Sequence, residues 1–219
     1  MSEETAHKKV DTDKEEILHQ IQDLRRQFLL VMSLLMLTVG GTIVFGTLEN
    51  PFHYTFSKIG NYFPYREWYI IWAILTGVSV QIAVVFMFKL ENYEKLFPRI
   101  CIYSATFFLI VTALIPSLRV EMPFWHAVHK WTTFFYVMSM IFALCPYLYS
   151  LTLKKPHLQT ILRNWALLIL IGSMSSLIIQ GQTGIFELWF IILTVLLLSF
   201  LAFRLYRDKI NGLKDTSSG

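Results

Sequence analysis

Between Phe28 and Leu205 the sequence contains no aspartate, for Asp11, Asp13, Asp23, Asp208 and Asp215 all lie in the two ends of the chain. Acid–base chemistry away from those ends is therefore left to glutamate and histidine. Charge is scarce throughout, at 16% of residues, where a soluble domain carries about 25% to solvate its surface. Cysteine is scarcer still. Cys101 and Cys145 form no CxxC pair, which removes a cysteine-based metal site. Both fall near span ends expected to face a reducing compartment, where a disulfide does not persist, so both are expected to be packing residues.

What is present is hydrocarbon. Hydrophobic residues make up 55% of the 219 residues and the mean hydropathy is +0.52. The apolar residues are gathered into six runs, near Phe28 to Leu48, Trp68 to Phe88, Ile100 to Leu118, Trp131 to Leu151, Ile161 to Ile179 and Ile185 to Leu205. Crossing roughly 30 Å of bilayer takes about 20 helical residues, so each run is expected to span. The fold class that follows is all-α, a polytopic membrane protein with six transmembrane helices. Residues 1–27 form a cytoplasmic amphipathic segment, 28–206 the membrane domain and 207–219 a cytoplasmic tail. The first 27 residues are charged and lack the apolar core of a cleaved signal, so the first span is expected to stay.

Orientation follows from the basic residues, which are retained on the cytoplasmic side of membrane helices. Of the 19 Lys and Arg, 15 fall in the N-terminal segment, the second and fourth connections and the tail. The opposite side holds only Lys58, Arg66, Arg119 and Lys130. Both termini are therefore expected in the cytoplasm, in a cell membrane. The net charge of +4 is accounted for by this asymmetry and by anionic inner-leaflet lipid. No basic patch remains for nucleic acid, and membrane lipids are the expected partners, with self-association into a homo-oligomer left open.

Local patterns refine the picture. Thr12 and Glu15 have the spacing of a capping box, which predicts a helix start. Ile17, Ile21, Leu24 and Phe28 then form an apolar stripe expected to lie on the inner membrane surface. In the first outer connection, Asn50 as N-cap, Pro51 at the first helical position and Gly60 at the end predict a short helix over about 51 to 59. That helix would put Phe52, Phe56 and Ile59 on one face and bring His53 beside Ser57. Gly172, Ser176 and Gln180 recur every four residues, a small-residue face suited to close helix contact. Gln81, inside the second span, is expected to hydrogen-bond to a neighbouring helix.

The stretch FWHAVHKW, residues 124 to 131, sets His126 and His129 three apart at the outer start of the fourth span. On a helix beginning near Pro123 they are neighbours on one face, with Thr133 continuing it. Trp125, Trp131, Phe124 and Lys130 around them are the usual residues of an interfacial belt, and an interfacial, hydrogen-bonding role is the first reading. The second is a metal site, in which His53, His126 and His129 are ligands to zinc. In that reading Ser57 orients substrate or water, and Glu187 or Glu121 is the general base. Each acidic residue also has a plain role: Glu187 favours the first turn of the last span, and Glu121 can pair with Arg119 or Lys130.

Asn50-Pro51, Ser57, Gly60-Asn61 and His126, taken with the span pattern, resemble the bacterial multi-spanning membrane proteins grouped as domain-of-unknown-function family 998. That resemblance implies architecture and location. A more distant similarity is to membrane hydrolases of the ceramidase and adiponectin-receptor type, whose sites combine Ser, Asp and His around zinc. This chain departs from them in having fewer spans and no membrane-side Asp. Two functions stand against each other: binding of lipid or a small amphiphile at the outer face, without catalysis, and metal-dependent hydrolysis of lipid or envelope substrates at the outer leaflet. An ion-coupled transporter or haem protein is disfavoured, because the spans lack ionisable residues at mid-depth and histidines facing one another.

Overall fold

The computed structural model describes the backbone of residues 3–181 and 183–218, and side chains for 15–181 and 183–214. Seven helices follow in order: α1 (Glu3–Gly46), α2 (Phe56–Tyr62), α3 (Arg66–Leu90), α4 (Leu96–Leu114), α5 (Pro123–Lys154), α6 (His157–Gln180) and α7 (Gly184–Ser218). All but α2 are long and apolar enough to cross a membrane. The architecture is that of an all-α polytopic membrane protein. Six alternating helices return both termini to one end of the bundle, the terminal end; α2 marks the other.

Most helices overrun their apolar runs, since nothing stops a helix at the edge of the hydrocarbon. Two stop short at the α2 end: α1 ends at Gly46 and not at Leu48, and α4 at Leu114 and not at Leu118. Pro116 pushes the residue before it out of the helical region, and Ile115 is extended, with ψ 127°. Pro123 opens α5 at its first turn, where its missing N–H would have had no partner. Helix α1 already runs from Glu3, so Thr12 and Glu15 lie inside it and do not mark its start; the Thr12 side chain lies outside the described residues.

The core divides along the bundle. One cluster, spanning the middle and terminal end, joins Leu35 of α1, Met87 of α3, Tyr147 of α5, Leu158 and Leu162 of α6, and Leu201 and Leu205 of α7. The other, at the α2 end, joins Phe45, Phe56, Ile59, Tyr69, Trp72 and Leu109, with Tyr136 and Leu188 against it. Helix α6 contributes to the first cluster alone. The most apolar window of α3 is 56% buried, against 17% for α5 and for α6. Helix α3 is therefore the axis of the fold, and α5 and α6 are its exposed flanks.

Two sequence expectations change here. The stripe ending at Leu24 and Phe28 packs on protein and not along the membrane surface: Phe28 stacks on Tyr206 with ring centroids 4.2 Å apart. Because α7 also continues past its span, its Tyr206 meets the stripe in line with α1, and Ile17 and Ile21 are half-buried on the same stripe. Cys101 is buried as expected, but Cys145 is exposed on α5. The small-residue face of α6 serves close contact at Gly172, whereas Gln180 is exposed. A Cβ on Gly172 would stand 2.1 Å from the Trp189 indole nitrogen, so only glycine admits that ring, whose N–H donates to the Leu168 carbonyl at 3.3 Å. Gln81 is half-buried and forms no hydrogen bond among the described residues.

Candidate functional site at the α2 end

The segment after Asn50 is a turn followed by a helix, and its boundary differs from the expected one. The Asn50 carbonyl accepts from the His53 and Tyr54 amides, both at 3.1 Å, and its side-chain oxygen accepts from Phe52 N at 3.0 Å. Such an Asx turn competes with helix formation at this residue. Thr55 then caps α2, accepting from Lys58 N at 3.3 Å. Helix α2 begins at Phe56, so Phe52 is exposed while Phe56 and Ile59 are buried, and Gly60 lies within the helix and not at its end. His53, exposed on the turn, and Ser57, whose hydroxyl meets the Thr55 hydroxyl at 3.2 Å, do not share a helical face.

Glu187 sits in the first turn of α7, as its dipole role requires, yet its carboxylate reaches across to α2 and accepts from Phe56 N at 2.5 Å. Here a side-chain oxygen meets an N–H that no helical carbonyl can satisfy. The turn itself lies on α7: Ile185 N donates to the Pro51 carbonyl at 3.1 Å. A Cβ on Gly184 would come within 2.6 Å of the Tyr54 carbonyl oxygen, so this approach depends on glycine. Glu187 and Ser57 are thus brought to the same turn of α2, with both side chains engaged in holding it.

Arg66, which the sequence singled out only as one of few basic residues on this side, joins the two halves of the site. Its guanidinium donates to Asn61 Oδ1 and to the Leu114 carbonyl, each at 2.6 Å. Asn61 in turn donates to the Ser57 carbonyl at 2.6 Å. A charged donor at the C-terminus of α4 satisfies a carbonyl that the helix leaves open. The signal for it was Pro64-Tyr65-Arg66 immediately before a long apolar run, a place where a cation anchors a span.

Beyond Leu114 lie the histidines. His129 is buried, and its Nδ1 is 2.9 Å from the Thr112 carbonyl and 3.3 Å from that of Ile115. Carbonyls only accept, so Nδ1 carries the proton and the neutral ring keeps its lone pair on Nε2. His126 is half-buried, with Nδ1 3.1 Å from the Ser117 hydroxyl. Beneath them Thr112 donates to the Thr132 hydroxyl at 2.9 Å. Thr133, expected to continue the face, is exposed and bonds back to the His129 carbonyl at 2.8 Å. The pair therefore ties α5 to the loop after α4. Among the described residues no three His, Cys, Asp or Glu are grouped to hold a metal ion, so His53, His126 and His129 are not gathered into a ligand set. Glu121 is exposed and forms no ion pair among the described residues.

The terminal end carries a different polar cluster, which the sequence reading did not find. Lys155, just past α5, donates to Glu91 at 2.8 Å and to Asp208 of α7 at 3.0 Å. Burial opposes its charge, but the hydrogen bonds to the Glu91 and Asp208 carboxylates outweigh that and hold its pKa above the ordinary lysine value. The partners are distant in sequence, and no periodicity connects them.

Space for a ligand is distributed unevenly. The void inside the bundle, lined by Thr76, Thr106 and Tyr136 among others, is about 10 Å³, room for roughly one water. On the flank, Leu34 of α1 and Ile71, Ile74, Leu75, Val78 and Ser79 of α3 line a groove of about 330 Å³. Ile71, Ile74 and Val78 are 54%, 42% and 38% exposed there, so the groove opens outward from the bundle at the depth of the spans. Compared with protein-family models, curated proteins and solved structures, the chain matches none.

Proposed function

We propose that the protein is a multi-pass cell-membrane protein, both termini in the cytoplasm, that holds a lipid or small amphiphile on its outer side, the hydrocarbon lying in the groove between α1 and α3. The observation that carries this reading is the groove: it is apolar along its length except for Ser79, open sideways at membrane depth, and far larger than the void inside the bundle. A hydrocarbon chain there exchanges contact with bulk lipid for contact with the walls, so affinity comes from shape and dispersion. The orientation rests on the basic residues of the terminal end. A ligand that binds the folded state raises its thermal stability. Added phospholipid is expected to raise the Tm of the detergent-purified protein, and Ile74→Trp, which fills the groove, is expected to abolish the rise while eluting as the same monodisperse species. An equal rise in the variant would sink the groove reading.

A second reading, a metal-dependent hydrolase acting at the outer leaflet, is favoured by one observation. His129 hydrogen-bonds a carbonyl through Nδ1 and keeps its Nε2 lone pair, the arrangement of most metal-ligating histidines. The expected outcome is about one transition metal per chain by elemental analysis, absent from folded His126→Ala/His129→Ala. Equal metal content in the two proteins refutes it.

A further inference from the structure

We propose that the lipid in the α1–α3 groove carries an ammonium headgroup, received by Glu67 at the groove's mouth; this rests on the groove being a lipid site. Glu67, Ile71, Ile74 and Val78 stand at positions i, i+4, i+7 and i+11 of α3, one face of a helix with 3.6 residues per turn. At 1.5 Å per residue, Glu67 lies about 6 Å beyond Ile71 toward the α2 end. The face that lines the groove with hydrocarbon therefore ends in a carboxylate, at the level where a lipid chain gives way to its headgroup.

Glu67 is exposed and has no hydrogen-bond or ion-pair partner among the described residues. The cation beside it in the chain does not neutralise it, because both donor nitrogens of Arg66 that make contacts are turned to Asn61 and the Leu114 carbonyl. Trp68 adjoins it, 63% exposed, an indole of the kind that settles at the headgroup level and can present its ring face to a cation. The position of Glu67 in the first turn of α3 explains why a carboxylate is tolerated there, but not why the apolar groove runs down from it. An ammonium group supplies the missing positive charge and N–H donors together, whereas an anionic headgroup is repelled at the same place.

The experiment is native mass spectrometry of the detergent-purified full chain titrated separately with phosphatidylethanolamine and phosphatidylglycerol of matched acyl chains. The wild type, Glu67→Gln and Ile74→Trp are compared after each has eluted as a monodisperse peak. The wild type is expected to bind the ethanolamine lipid at roughly two- to fivefold lower concentration than the glycerol lipid, the range a solvent-exposed ion pair supports. Glu67→Gln is expected to bind the two equally, and Ile74→Trp to lose both. Equal binding of the two lipids by the wild type, or a preference that survives Glu67→Gln, overturns the headgroup assignment and leaves the groove standing. Undiminished binding of both lipids by Ile74→Trp overturns the groove, and the headgroup assignment falls with it.

Discussion

The two ends of the bundle are held by different chemistry. At the terminal end charge meets charge, with Lys155 between Glu91 and Asp208, while Lys154 and Arg99 donate to the Glu91 and Tyr93 carbonyls. At the α2 end side chains meet backbone: Arg66 donates to the Leu114 carbonyl, Glu187 accepts from Phe56 N, and His129 donates to the Thr112 carbonyl. The difference follows from what each end has to satisfy. The α2 end contains a helix of seven residues, the Pro116 break after α4 and the turn at Asn50, all leaving amides and carbonyls without helical partners, and buried groups of that kind are costly unless paired. The terminal end has open carbonyls of its own at Glu91 and Tyr93, met by Lys154 and Arg99, and there other long charged side chains also find one another. Arg66 replaces a missing backbone partner, whereas Lys155 pairs with other side chains in reach of water, and the first use of a charge is expected to stabilise more than the second.

That contrast is open to direct measurement by thermal or denaturant unfolding in one detergent. The largest effect is expected from Arg66→Ala, which strips donors from both Asn61 and the Leu114 carbonyl; hydrogen bonds to charged groups contribute about 1.5–3 kcal/mol each, and a loss of about 2–3 kcal/mol is expected. Glu187→Ala leaves Phe56 N without its acceptor, so about 1–2 kcal/mol should be lost. Lys155→Met should cost least, about 0.5–1 kcal/mol, and less at high salt, as for a partly exposed ion pair. A Lys155 loss larger than that of Arg66 would reverse the comparison.

The Lys155 contribution also has a pH signature. Its pKa is higher in the folded state than the ordinary lysine value, so its stabilisation is complete below that value and disappears as pH rises through the folded one. Wild type and Lys155→Met should therefore differ across neutral pH and converge in alkali. A gap that widens in alkali would show that the ammonium is not what holds the cluster.

Hydropathy alone determined the all-α membrane architecture, the existence of six spanning helices and the pairing of both termini at one end, because a bilayer demands about 20 apolar residues per crossing and leaves little freedom beyond that. Pro123 as the start of α5 and the close packing at Gly172 were legible too, for both depend on local chemistry. The boundary of α2 was not. Asn50 and Thr55 are both good caps, and what selects Thr55 is the placement of the turn on the start of α7 and of Phe56 and Ile59 in the core. The histidine pair was found, but not the use that His129 makes of carbonyls opened by the end of α4, and the apolar stripe of α1 was read without its partner on α7. The contact of Arg66 with the Leu114 carbonyl, the Lys155 cluster and the α1–α3 groove belong to tertiary structure. Each joins residues from helices far apart in the chain, and periodicity tells which face of a helix is apolar without telling which helix that face will meet.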